Sequence, residues 1–253
     1  MEAEGLRPNF WRAVTDNDMG ASLQKKYAAW RDPKLTLKDL RVMKGDVPTV
    51  VADYSMLDGK AELTLTYAIH ADGTMDVTQS MKALDKKDVS EMFRFGMVMQ
   101  LPYTMDCSEY YGRGPIENYS DRKESQPIGI YRQTADEQFY PYIRPQETGT
   151  KSDMRWWRQY DAATGSGIKL SADGKFYCSA LHYAIGDLDE GEEKHQRHAS
   201  QVRRSDRTVL CIDSEHTGLG GIDSWTHLGQ PLTPYRLPFA DKTLKFRITP
   251  RVF

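Results

Sequence analysis

Alternation of apolar and polar residues at a period of two, punctuated by short Asp-Gly turns, is the feature that most limits what this chain can fold into. Leu63, Leu65, Tyr67 and Ile69 fall on one face, with Glu62, Thr64 and Thr66 opposite. That period places the apolar set on one side of a pleated strand. Ala71-Asp72-Gly73-Thr74 follows, and Met75 and Val77 resume the pattern up to Met81. Asp-Gly between two alternating runs signals a hairpin, because glycine takes positive φ with no Cβ penalty. Phe93, Phe95, Met97, Met99 and Leu101 share a face of another run, and Leu244, Phe246 and Ile248 alternate with Lys245, Arg247 and Thr249. Segments 35–43, 47–56, 106–113, 153–161, 166–171, 175–183 and 207–213 also read as strands, with further turns at Asp58-Gly59 and Asp173-Gly174.

Helical signals are few. Gly20 to Arg31 predicts a short amphipathic helix, with Leu23, Tyr27 and Trp30 at i, i+4 and i+7, ending before Pro33. A weaker helical stretch is expected over 192–203. Strands and helices do not alternate, which excludes a TIM barrel or a Rossmann domain as the body of the chain. The expectation is a single all-β domain over residues 1–253, antiparallel, built as two packed sheets with one or two short helices.

Composition narrows the function. Lys and Arg number 34 against 36 Asp and Glu, a net charge of −2. Nucleic-acid binders carry a basic excess or stripe, so no nucleic-acid partner is expected. Charged residues at 28% with 11% aromatics argue against disorder. No run approaches the roughly 20 apolar residues of a membrane helix. Met1 to Gly5 has neither a basic n-region nor an apolar h-region, so no signal peptide is read there, and the compartment stays open. Cys107, Cys178 and Cys211 are far apart and form no CxxC, which predicts buried free thiols rather than a disulfide framework or a zinc knuckle.

The unusual chemistry sits in four turn-rich segments: Trp11-Arg12-Ala13-Val14-Thr15-Asp16-Asn17-Asp18, Tyr110 to Arg122, Tyr142 to Gly149, and His216 to Trp225. Each mixes Gly, Pro, Asn or Asp with aromatic and charged residues. Turns need the former for backbone reasons alone. Aromatic rings beside Arg and carboxylates also suit a sugar, whose C–H face a ring covers while polar groups take its hydroxyls.

Together and in order, these segments resemble the C-terminal, small-chain domain of glycoside hydrolase family 2 β-galactosidases. The family pattern reads F-W-R-A-P-T-D-N-D, then Y-x-G-R-G-P-x-E-N-Y-x-D-R, then P-Q-E-x-G, then G-x-G-G-x-D-S-W. Val14 stands where the family usually has Pro. The resemblance implies a β-supersandwich of galactose-mutarotase-like fold. It also implies that the two catalytic glutamates, and the magnesium and sodium ligands of the parent enzyme, belong to a TIM barrel absent from this chain. No cofactor or metal is expected in the domain itself. Its expected partners are upstream barrel and sandwich domains, a β-galactoside substrate met through the parent enzyme, and other copies in a homo-oligomer.

By the same resemblance, Trp225 stacks on the sugar in the barrel's active site. Gly218, Gly220 and Gly221 would let its loop turn tightly, and Asp223 and Ser224 would brace it. His216 is a weaker candidate for sugar contact. Glu117 and Glu147 could pass for a local catalytic pair, but glutamates in turns more commonly cap or form salt bridges. Arg113, Glu117, Asp121 and Arg122 are expected to form one ion network. His195 and His198 have helical i, i+3 spacing but follow an acidic run, and read as solvated loop rather than metal ligands. Two other functions remain: an aldose-1-epimerase-like enzyme using His216 and Glu147, whose known motifs are not visible here, and a purely structural carbohydrate-binding module.

Overall fold

The computed structural model describes residues 5–195 and 197–253. Met1–Glu4, which carry most of the stretch read for a leader, and Gln196 lie outside the described residues. The described residues form β1 (Arg7–Asn9), β2 (Thr36–Met43), β3 (Thr49–Met56), β4 (Ala61–Ile69), β5 (Met75–Ala83), β6 (Arg94–Pro102), β7 (Cys107–Arg113), β8 (Ile128–Thr134), β9 (Lys151–Tyr160), β10 (Ser166–Leu181), β11 (Arg207–His216) and β12 (Lys242–Val252). The all-β antiparallel fold predicted from the alternation is present. All twelve strands belong to one hydrogen-bonded network, with the path β1-β6-β11-β10-β12-β5-β4-β3-β2 and a branch from β10 through β9 to β7 and β8.

β10 is the hinge of this arrangement. Its first half, Ser166–Ala172, pairs with β12, and its second half, Tyr177–Leu181, pairs with β11. Its other edge is held by β9, with register shifts between Ser171 and Cys178. Asp173-Gly174, expected as a turn, lies inside β10 where the strand changes partner. The residues that permit a reversal here permit a bend instead. One continuous sheet curls around the core in this way, so the packing expected of two sheets arises within a single network. The main core contains Phe10, Trp30, Phe95, Trp157, Phe176 and Phe246. Cys107, Cys178 and Cys211 are free and buried, as predicted.

The helix expected over Gly20–Arg31 is corrected to separate short pieces. Thr15 caps α1 (Asp16–Gly20) in a capping box with Asp18. Ser22 then adopts φ 61°, which a continuous helix cannot contain, and α2 (Leu23–Lys26) and a 3₁₀ turn at Ala28–Trp30 follow. Leu23, Tyr27 and Trp30 are nevertheless all buried, so the apolar spacing identified the inward face. Over 192–203 only a 3₁₀ turn at Ala199–Gln201 forms among the described residues. The one-turn helices α3 (Ala135–Gln138) and α4 (Ile185–Leu188), and strands β1 and β8, carry too little periodicity to read in advance. No described helix is long and apolar enough to cross a membrane.

Candidate functional site

The four turn-rich segments converge around the loop that follows β11. At its base lies Arg12, fully buried, whose guanidinium pairs with Asp18 at 2.8 Å. The same guanidinium donates to the carbonyls of Thr217 (3.2 Å) and Gly218 (3.1 Å). Asp18 is itself held by the α1 capping box, accepting from the Thr15 amide at 2.9 Å. The first segment therefore clamps the start of the loop through a charge that has no other place to go.

The first segment and the second also hold the middle of the loop. Asn17 donates to the Leu219 carbonyl at 3.0 Å and accepts from the Ser224 hydroxyl at 2.5 Å. Asp121, from the second segment, accepts from the amides of Leu219 (3.1 Å) and Gly220 (2.7 Å). Within the loop, Asp223 accepts from the Trp225 amide (3.1 Å), the Thr226 amide (2.9 Å) and the Thr226 hydroxyl (2.6 Å). Thr226 and these amides hold the Asp223 carboxyl below the usual carboxylate range. Asp223 and Ser224 thus both lie where they brace the loop.

Gly218, Gly220 and Gly221 serve close approach, and none of them has positive φ. A Cβ on Gly221 would lie 2.2 Å from the Gly229 carbonyl oxygen, and one on Gly218 would lie 2.4 Å from Asp121 Oδ2. Gly20, at the end of α1, is equally tight: its Cβ would fall 2.3 Å from the Ser224 carbonyl carbon.

Trp225 stands on this frame with its side chain in solvent, 79% exposed. Large aromatic residues are usually mostly covered, so this is not a core tryptophan. Beside the loop runs a groove of about 330 Å³ lined in part by Asp121, Ile222, Leu228, Leu232 and Tyr235.

Beneath the loop the acids and bases are buried and engaged. Glu117 accepts from Arg122 (2.6 Å), Thr148 Oγ1 (3.0 Å), the Gly149 amide (2.7 Å) and the Tyr142 hydroxyl. Glu147 accepts from Thr150 at 2.7 Å and lies 3.8 Å from Arg94 and 3.7 Å from His216. Burial raises the Glu147 pKa, against the pull of Arg94. Both glutamates cross-link the second and third segments. His216 is buried. It shares a 2.8 Å contact between Nδ1 and the Thr217 carbonyl, which assigns the ring proton to Nδ1. Burial, then Arg94 and Arg12, push its pKa well below the ordinary value, so it is neutral.

The network expected of Arg113, Glu117, Asp121 and Arg122 is divided. Arg113 pairs with Asp153 and Glu124, Arg122 with Glu117, and Asp121 with loop amides. His195 and His198 lie in irregular chain on either side of Gln196. Among the described residues, no cluster of three or more His, Cys, Asp or Glu is placed to hold a metal ion.

Sequence reasoning missed the Arg94–Asp213 pair that backs this layer. Its signal was present: each is a lone charge in an apolar run, Phe93-Arg94-Phe95 and Leu210-Cys211-Ile212-Asp213. It also missed Asn17 and Gly20 as loop contacts, because those contacts span about 200 positions of sequence.

Fold and site together define an antiparallel β domain that presents one exposed indole on a loop clamped from two distant segments. The chain belongs to the β-galactosidase small-chain family, whose model matches residues 1–249. It is 32% identical over 226 residues to a β-galactosidase of Priestia megaterium, covering 88% of this chain and 21% of that protein. It is also 32% identical over 244 residues to a β-galactosidase of Lactobacillus delbrueckii subsp. bulgaricus, covering 94% and 23%. The chain thus spans about a fifth of the length of these curated relatives. Among solved structures, it is similar to a GalM/aldose epimerase homologue from C. elegans, with TM-score 0.42, 8% identity, and coverage of 85% of this chain and 69% of that one.

Proposed function

We propose that this chain is one non-catalytic domain of a longer, family 2 β-galactosidase that hydrolyses terminal β-D-galactose residues, with Trp225 as its contribution to the sugar site. The observation that carries this reading is the exposed indole on a loop fixed by Arg12, Asn17 and Asp121. A fixed ring loses little freedom when it stacks on a sugar. Retaining glycosidases need two carboxyl groups about 5–5.5 Å apart, free to reach the substrate. Glu117 and Glu147 are buried and occupied as structural acceptors, so the reading assigns the catalytic carboxylates to an upstream TIM barrel. Magnesium and sodium of the parent enzyme are assigned to that barrel too. The buried, neutral His216 disfavours the epimerase alternative, in which it would have to reach a sugar.

The test is Trp225→Ala in the longer enzyme. The expected result is a rise in KM for lactose of about tenfold, the loss of about 1–3 kcal/mol of stacking and burial, with unfolding unchanged. An unchanged KM rejects the proposal. The 253-residue chain alone is expected neither to hydrolyse a chromogenic β-galactoside nor to accelerate mutarotation of α-galactose, and activity in either assay rejects the non-catalytic reading.

A further inference from the structure

β2 ends the strand path, and its eight residues are all exposed. Its register contains an irregularity: Leu37 pairs with Tyr54, but Asp39 pairs with Asp53. Two residues of β2 advance against one of β3, which turns Leu37 onto the face shared by Leu40 and Val42. Those three stand opposite Tyr54, Ala52 and Val50, which in turn stand opposite Leu63, Leu65 and Tyr67 of β4. Ala52, Leu63 and Leu65 belong to the main core. The apolar side of β2 is therefore an extension of the core-facing side of the sheet. Yet Leu37, Leu40 and Val42 are 50%, 59% and 64% exposed. Ile69 is on the same face at the end of β4 and is exposed too. Nothing among the described residues covers this end of the core face.

We propose that this face of β2 is a docking surface for another part of the same, longer polypeptide. The inference rests on the proposed function, which makes the chain one domain among several. The curated relatives are more than four times as long as the span matched here, so a polypeptide of their length has ample chain to provide the cover. The polarity of the strand favours this occupant over a second copy joined edge to edge. The opposite face of β2 carries Asp39 and Arg41, which pair with each other, and Arg41 also pairs with Asp53 at 2.6 Å. Charges along a free edge oppose strand-to-strand association, whereas a contiguous apolar patch calls for a dry, packed cover.

The surface lies on β2, separate from the Trp225 loop, and the two roles can be tested apart. Leu40→Cys places a thiol at the centre of the patch, and the native cysteines are all buried. Its alkylation in the longer enzyme is expected to be at least about tenfold slower than in the 253-residue chain alone, as for a site that opens only by local undocking. Leu40→Asp is expected to lower the melting temperature of the longer enzyme by several degrees while leaving that of the isolated chain unchanged. Equal alkylation rates, or equal melting with and without the aspartate, overturn the proposal. So does dimerisation of the isolated chain that shields Cys at position 40, since the occupant is then a second copy. If Trp225→Ala leaves KM unchanged while Leu40 is shielded in the longer chain, the proposed sugar role fails and the docking surface stands.

Discussion

The guanidinium of Arg94 meets the carboxylate of Asp213 side-on, with Nε 3.0 Å from Oδ1 and Nη2 2.5 Å from Oδ2, across the β6–β11 ladder and away from solvent. Gly96 makes the arrangement possible, for a Cβ there would lie 1.9 Å from Asp213 Oδ1. Removing one partner of such a pair strands the other charge, and the remaining attraction cannot offset its desolvation. Arg94→Met is expected to cost about 3–5 kcal/mol in urea unfolding. The double variant Arg94→Met, Asp213→Leu is expected to recover a large part of that loss. A single variant as stable as the parent chain would contradict the account.

His216 gives the fold an acid-side pH dependence. Its ring is neutral when buried beside Arg94, Arg12 and Glu147, while in the unfolded chain it titrates near the ordinary value of 6.5. The unfolded state then binds the extra proton first, so stability falls as pH drops below about 6.5. His216→Phe is expected to flatten the melting-temperature profile between about pH 6.5 and pH 5, and an unchanged slope would exclude His216 as its source.

Lys151 acts on the alkaline side. Its ammonium is buried, donates to the Gly149 carbonyl at 2.9 Å, and has its pKa lowered to about 8, mainly by burial. Between about pH 8 and the ordinary 10.5 the unfolded chain holds more protons, so stability rises with pH across that window. Lys151→Met is expected to remove this rise and to leave stability at pH 7 equal or greater, as apolar replacements of buried charges often do. Melting curves at pH 7, 8, 9 and 10 measure both effects.

Asp121 should govern the order of the Trp225 loop. Asp121→Ala removes two charge-assisted amide bonds, each worth about 1.5–3 kcal/mol. Hydrogen exchange at Leu219 and Gly220 is expected to speed up while exchange in β11 stays slow. In the proposed longer enzyme KM should rise in parallel.

Gly20→Ala tests the same loop from the opposite side. Gly20 has an ordinary backbone conformation, so alanine meets only the steric obstacle of Ser224 and Trp225. Overpacking of this kind costs about 1–3 kcal/mol. The loop should move before the helix does, with little change in β-sheet circular dichroism and, in the proposed longer enzyme, a raised KM for lactose.

Most of the sheet was legible because β4, β5, β6 and β12 each keep one face wet or one face apolar over many residues, which is what a period of two reports. β8 was not legible: Ile128 and Ile130 point outward, so its alternation lacks the burial that the pattern presumes. The Gly20–Arg31 segment had the right face and the wrong continuity, because one left-handed residue, Ser22, leaves no mark on hydrophobic spacing. The loop of Trp225 was legible as a motif. Its clamps were not, since Arg12, Asn17 and Asp121 reach it across 98 to 206 positions that only the folded topology brings together.

The divided pairing of β10 also bears on how the chain is made. Ser166–Ala172 finds its β12 partner only between Phe246 and Val252. During synthesis the 80 residues from 173 to 252 must follow before that edge can close along its length, and an open strand edge is the part of a nascent sheet most exposed to misassociation. Closure of this edge therefore waits on β12. A truncation that removes β12 should leave a chain dependent on chaperones, not a smaller version of the same domain.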